Sequence, residues 1–197
     1  MRDRDVRQAL HTKVLHEHRD ALDTLVLDEF GVRHGASRVD VVVVNGFLHG
    51  YEIKSDTDTL ARLPSQIATY NEVFDRVTLV VGSKHAEKAS FEIPDWWGIR
   101  VATEGARGGI SFNVTRKAKK NPRINPVAVA ELLWRDEVIE ELQELGITGA
   151  VLRKPRAVLY QHLAESLGID ELRDTVRRRL KQRKSWRVQS APELSVG

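Results

Sequence analysis

The spacing of apolar positions changes several times along this chain. Within residues 4–30, Val6, Leu10, Val14, Leu22, Leu25 and Val26 recur at about helical spacing, which predicts a long helix stopping at Gly31. Residues 37–44 carry Val39 and the unbroken run Val41-Val42-Val43-Val44, and predict a β-strand. Residues 47–55 predict its partner, with Asn45-Gly46 as the turn. Helical spacing returns over residues 59–74, with Leu60, Leu63, Ile67, Tyr70 and Phe74 inward; Pro64 falls in the first turn, where a missing N–H is tolerated. Residues 77–81 predict a third strand and 83–90 a short helix. After a turn at Pro94-Asp95-Trp96-Trp97-Gly98, residues 99–103 and 110–115 predict two more strands, connected through Gly105, Gly108 and Gly109.

A hairpin followed by strand–helix–strand crossovers implies an α/β fold, a mixed central sheet flanked by helices. The pattern changes near Lys117. A basic linker over 117–126 with two Asn-Pro steps leads into helices expected at 127–145, 155–167 and 169–184. The division expected is therefore an α/β core at 1–116, a helical C-terminal part at 117–187 and a disordered tail at 188–197. The last two helices could form a helix–turn–helix-like pair across Leu167-Gly168-Ile169-Asp170, although a plain helical hairpin gives the same pattern.

Composition removes several function classes. The 197 residues contain no cysteine, so disulfides, thiolate metal sites and a cysteine nucleophile are excluded. No apolar run reaches the roughly 18–20 residues of a membrane span, and the charged start Met1-Arg2-Asp3-Arg4-Asp5 lacks a signal-peptide core, so a cytoplasmic location is expected. The net charge is only +3, but the cations cluster. Arg116, Lys117, Lys119, Lys120 and Arg123 form one group. Arg173, Arg177, Arg178, Arg179, Lys181, Arg183, Lys184 and Arg187 form another. Such clusters suit polyanions; taken alone, a solvated helix face is the better reading.

The hairpin holds the candidate chemistry. Asp40 lies within the first apolar strand, and Glu52 and Lys54 lie on one face of the second. Strands this apolar are normally buried, and a buried carboxylate is costly unless it is paired, protonated or bound to a cation. Hard oxygen donors suit Mg²⁺ or Mn²⁺, and a neighbouring lysine can position a water or stabilise charge on a phosphate. Register tests this. A strict two-residue turn pairs Asp40 with Tyr51 and turns it away from Glu52. Convergence needs a three-residue loop with Gly46 in a left-handed bulge, or a bulge elsewhere, for example at Gly50. With that offset, Arg38 is expected opposite Glu52 and Asp40 as its diagonal neighbour.

The Asp-x₁₁-Glu-x-Lys hairpin, in the order helix, hairpin, helix, strand, resembles the core of the PD-(D/E)XK nuclease superfamily, whose fold is restriction-endonuclease-like. Val39 stands where the family name has proline. Gln66 and Tyr70, one turn apart on the following helix, resemble the Gln-x₃-Tyr element of the RecB-like branch. Glu29, expected at the end of the first helix, matches the place of an additional acidic residue, or is simply a solvated helix end. The resemblance implies a Mg²⁺- or Mn²⁺-dependent nuclease acting on nucleic acid, most often DNA. Asp40 and Glu52, with Glu29 as a further candidate, would hold the cation; Lys54 would serve the attacking water; Gln66 and Tyr70 would shape the site and contact substrate. It also makes a homodimer one of the assemblies to expect. The alternative is a non-catalytic nucleic-acid-binding or regulatory protein that keeps the fold.

Other features have plainer explanations. Asp56-x-Asp58 resembles a metal–nucleotide motif, but Thr57, Asp58 or Thr59 is better read as a cap for the next helix. Arg62, one turn before Gln66, could touch phosphate or simply be exposed. Trp96-Trp97 and Trp134-Arg135 could stack on bases, yet packing is the better expectation. The seven histidines show no ligand spacing, and His49 is expected to be structural.

Overall fold

Six strands pair in chain order in one sheet, β1-β2-β3-β4-β5-β6. They are β1 (Leu25–Val32), β2 (Ser37–Val44), β3 (Leu48–Lys54), β4 (Arg76–Gly82), β5 (Gly98–Glu104) and β6 (Ile110–Arg116). The computed structural model describes residues 1–183; Lys184, Arg187 and the tail at 188–197 lie outside them. β1, β2 and β3 are antiparallel, β3, β4 and β5 run parallel, and β6 returns antiparallel to β5. The sheet is therefore mixed, with the α/β architecture that the pattern implies.

Helices cover both faces, which is why the central strands are almost wholly apolar. On one side lies α1 (Asp3–Lys13), whose Val6 and Leu10 pack with Leu15 on Val41, Val43, Tyr51, Ile53 and Val80. It is followed by the short α2 (His16–Asp20). On the other side lie α3 (Leu63–Val73) and α4 (Ala86–Glu92). The C-terminal helices α5 (Pro126–Ala130), α6 (Arg135–Glu144), α7 (Arg156–Ser166) and α8 (Ile169–Gln182) complete the chain. Their apolar residues, among them Val129, Leu142, Leu163, Leu172 and Val176, join a single core with Val42, Val44, Tyr70, Phe74 and Trp97. Among the described residues no helix is long and apolar enough to cross a membrane.

The expected first helix is the main departure. It ends at Lys13, and residues 25–32 form strand β1. Leu25, Val26 and Leu27 do fit helical spacing, but pairing them with Val44, Val43 and Val42 lets both strands complete each other's hydrogen bonds. That gain depends on a distant segment, so local spacing does not reveal it. Leu22, expected on the inner helix face, is exposed. The helix expected from residue 59 begins at Leu63, and that expected at 127–145 is two helices, α5 and α6.

The hairpin has the wider loop. Val44 pairs with Leu48, leaving Asn45, Gly46 and Phe47 as the connection, and Asn45 Oδ1 accepts the Phe47 N–H at 3.0 Å. Two details differ from expectation. Gly46 stays out of the left-handed region, and Gly50 pairs in register with Val42. Continuing the observed register one step beyond Val41–Tyr51 brings Asp40, not Arg38, level with Glu52. The same counting on β1, between Asp28–Val41 and Phe30–Val39, brings Glu29 level with Asp40. Three carboxylates thus share one rung across three adjacent strands.

That rung is where strand alternation breaks. Leu27 and Phe30 both belong to the layer under α3, as do Val39 and Val42, although residues three apart should face opposite ways. Glu29 has φ of 53°, a left-handed conformation that costs about 1–2 kcal/mol for a residue with a Cβ. The distortion sits beside the candidate site residues Asp40 and Glu52.

Candidate active site

Glu52 and Lys54 are carried by the C-terminal half of β3 and face α3. Both are buried, at 1% and 4% exposure. Lys54 Nζ donates to Glu52 Oε1, which also accepts from Gln66 Nε2 at 2.6 Å. The other oxygen, Oε2, accepts from Tyr70 OH at 2.8 Å. Gln66 and Tyr70 sit one turn apart on α3, so helical spacing aims both at the same carboxylate. Tyr70 OH also lies 2.7 Å from the Arg38 carbonyl, tying α3 to the start of β2. Burial and the Glu52 carboxylate raise the Tyr70 pKa far above its ordinary value, so Tyr70 remains a donor.

Asp40 occupies the point where β2 and β3 part. Its Oδ2 accepts the Ile53 N–H at 2.6 Å, taking the place of a ladder bond, and its Oδ1 accepts from Arg7 Nη2 at 2.9 Å. Burial, then the charge of Glu52, raises the Asp40 pKa to about 7, against the opposing pull of the Ile53 N–H and Arg7. The two carboxylates thus feel each other strongly across the rung.

Glu29 is brought to the same cleft, but from β1 and not from a helix end. It is half-exposed and is held by Arg7, with Arg38 Nη1 at 3.6 Å. Arg7 is the residue that sequence reasoning passed over. From α1 it bridges Glu29, Asp40 and Asp3. Its only local signal is the Asp3/Arg7 pair one turn apart, which any exposed helix can show.

These groups line an open cleft of about 580 Å³, whose walls include Arg7, Glu29, Asp40, Glu52, Lys54 and Gln66. Arg38 and Arg62 stand exposed at its rim. Among the described residues, no group of three or more His, Asp or Glu side chains is gathered to hold a metal ion. Mg²⁺ usually needs only one or two carboxylates and keeps several waters, and Asp40 with Glu52 meets that smaller requirement. Gln66 Oε1, a buried acceptor on the cleft wall without a hydrogen-bond partner among the described residues, could serve as a further oxygen donor.

The remaining candidates separate from the site. Asp56 Oδ1 accepts the Lys84 N–H, and Asp58 closes its own turn on Ser55; neither caps α3, whose N-cap is Arg62. Trp97 is buried as expected, donating to Asn71 Oδ1 at 2.9 Å. Trp134 is only partly packed: the Arg183 guanidinium lies 4.2 Å from its ring centroid, and the residue keeps 54% exposure. His49 is structural: its ring bonds Thr78 Oγ1 at 2.9 Å, and burial and nearby arginines lower its pKa to about 3.

The C-terminal basic cluster is largely consumed by internal ion pairs. Arg173 and Arg177 flank the buried Asp75, Arg178 and Arg179 engage Glu141, Lys181 meets Asp23, and Arg183 meets Glu137. This helix is therefore a structural strut, and the helix–turn–helix reading gains nothing from it. In the linker the side chains of Lys117, Lys119, Lys120 and Arg123 are exposed, with no ion-pair partner among the described residues.

Comparison with known proteins gives one family. The family profile described as "Bacteriophage P4 protein cII" matches residues 3–190. Protein cII of Enterobacteria phage P4 is 26% identical over 183 residues, covering 93% of this chain and 68% of that protein. A solved structure, the SPO1766 protein of unknown function from Silicibacter pomeroyi, is 20% identical with a TM-score of 0.44, covering 76% of this chain and 97% of that one.

Proposed function

The chain belongs to the bacteriophage P4 protein cII family, and from the side chains gathered in its cleft we propose that this member is a metal-dependent nuclease. It hydrolyses phosphodiester bonds of nucleic acid, with DNA as the substrate and the cytoplasm as the place of action. The observation that carries this reading is Asp40 lying one step past the Val41–Tyr51 pair and accepting the Ile53 N–H beside Glu52, to which Lys54 donates.

Each side chain has a physical task. Asp40 and Glu52 would hold Mg²⁺ or Mn²⁺, with Glu29 as an outer acidic group. A cation bound there supplies Lewis acidity toward a phosphate oxygen and lowers the pKa of water. Lys54 brings a fixed positive charge to the cleft, suited to orienting the attacking water and to offsetting the charge that grows on the phosphate. Gln66 and Tyr70 hold Glu52 in one rotamer, the outer support that an acidic ligand needs. Arg7 balances the negative charge of Glu29 and Asp40.

One observation favours a different reading. Arg7 and Lys54 already satisfy the carboxylates, an arrangement that a non-catalytic nucleic-acid-binding member could keep for stability. A single comparison separates the two. Wild type and Lys54→Ala are assayed on linear, circular, single-stranded and RNA substrates with Mg²⁺ or Mn²⁺. The nuclease reading expects cleavage by wild type alone, with a loss of about 10²-fold or more in the variant. Equal cleavage by both, or none by either, overturns it.

A further inference from the structure

A second pocket opens beside the cleft. It has a volume of about 320 Å³, and Gly35 lies in the walls of both. Around it stand His34, Trp134, Arg135, Arg156 and Tyr160. Arg33, His34 and Gly35 hold φ of 52°, 55° and 88°, so three successive left-handed residues shape the ridge between the pockets. Two of them carry a Cβ, and each costs about 1–2 kcal/mol there. The turn places the exposed His34 ring on Tyr160, with centroids 5.6 Å apart, and sends Arg33 to Glu72 and Glu131.

The chemistry of this pocket is aromatic and cationic. Trp134 projects from the start of α6 at 54% exposure, with the Arg183 guanidinium over one side of its ring, 4.2 Å from the centroid. Arg135 is exposed and bonds only main-chain carbonyls, and Arg156 is exposed with no carboxylate partner among the described residues. An accessible indole next to two uncompensated guanidinium groups suits unpaired bases and the phosphates between them. A duplex keeps its bases stacked inside and would use only the cations. An acidic peptide would leave Trp134 and the His34 ring without matching partners. On the cleft side of Gly35 the same rim continues through Arg38 and Arg62.

We propose that this pocket is a binding track for single-stranded nucleic acid, which leads the strand over the Gly35 ridge into the cleft. Trp134 stacks on a base, the His34–Tyr160 pair supports a second, and Arg135 and Arg156 hold the intervening phosphates. The direction of the track rests on the nuclease reading; the binding itself does not.

The test measures binding without chemistry. Fluorescence anisotropy in EDTA compares a labelled oligothymidylate with a duplex of the same length, for wild type, Trp134→Ala, Trp134→Phe and Arg156→Gln. Thermal melting checks that each variant is folded. Trp134→Ala is expected to weaken single-strand binding about tenfold, the effect of losing one stacked base. Trp134→Phe should stay within about threefold of wild type, because a phenyl ring still stacks. Arg156→Gln should lower the salt slope of single-strand binding by about 0.7, the value for one neutralised phosphate. Duplex binding should change in neither Trp134 variant. If Trp134→Ala does not fold, Trp134→Phe and Arg156→Gln decide the matter through retained affinity and a reduced slope. Wild-type affinity and slope in all folded variants, or a loss from Trp134→Ala that is equal on both substrates, overturns the track. Cleavage of DNA by a Trp134→Ala protein that binds single strands normally removes the track and leaves the nuclease; loss of single-strand binding in a protein that never cuts does the reverse.

Discussion

Asp40→Asn gives the sharpest test of the electrostatics at the rung. The folded chain holds Asp40 at about 7, whereas the unfolded value is about 3.9. Between those values the folded state binds more protons than the unfolded one. The contribution of Asp40 to stability is therefore fully present below about pH 4 and is lost as pH rises through about 7. A difference of roughly 3 units at 1.36 kcal/mol each sets an upper bound of about 4 kcal/mol. The carboxylate is 19% exposed, so most of that bound should be realised. Asn keeps an acceptor for the Ile53 N–H and removes the titration. Denaturant unfolding of both proteins between pH 5 and 8 isolates the Asp40/Glu52 pair, because carboxylates distant from it cancel in the difference. Wild type should fall relative to Asp40→Asn by about 2 kcal/mol across that range, since only about two of the roughly three pH units of the difference lie within it. At the alkaline end, Mg²⁺ at about 100 times its Kd should restore about 2.7 kcal/mol to wild type and nothing to the variant. Parallel pH profiles, together with no stabilisation by Mg²⁺ at pH 8, would falsify the account of Asp40 as a carboxylate held at high proton affinity by burial and Glu52.

Other changes probe the surroundings. Glu52→Gln leaves Lys54 buried without its anion and should cost about 3–5 kcal/mol; adding Lys54→Met should recover most of that in denaturant unfolding, while cleavage stays absent in both. Asp75→Asn removes the buried anion that meets Arg173, Arg177 and the Leu48 N–H, with a similar loss of about 3–5 kcal/mol in thermal or chemical melts. Neutralising Lys117, Lys119 and Lys120 to Gln should flatten the salt dependence of duplex binding by about 0.9 for each phosphate that is no longer engaged. Arg178→Gln, whose charge is spent on Glu141, should leave that slope unchanged.

Much of the candidate site was legible because its signals are local. A charged residue inside a valine-rich strand is conspicuous wherever the strand lies, and Glu52 with Lys54 must share a face at two-residue spacing. Gln66 and Tyr70 must share a helix face at four. Glu29 was found for an incorrect local reason, since it lies on a strand. Arg7 was not found at all: it acts by spanning from α1 to two strands, and nothing near it in the chain records that reach. The C-terminal arginines illustrate the opposite error. Their sequence looks like a polyanion surface, yet Arg177 finds Asp75 across 102 residues of chain and Arg178 finds Glu141 across 37. Only folding brings such partners together.

The sequence alone determined the α/β architecture, the hairpin and the identity of the acidic pair and lysine, because hydrophobic period and side-chain alternation are set within a few residues. Tertiary structure decided the rest. It made a strand of residues 25–32, since a strand is complete only with a partner, and it fixed the register that levels Glu29, Asp40 and Glu52. It also broke the alternation at that rung, placed Arg7 over it and left Trp134 half-exposed beside the cleft, with Arg183 over its ring. Those features depend on which distant groups meet, and spacing along a chain carries no record of that.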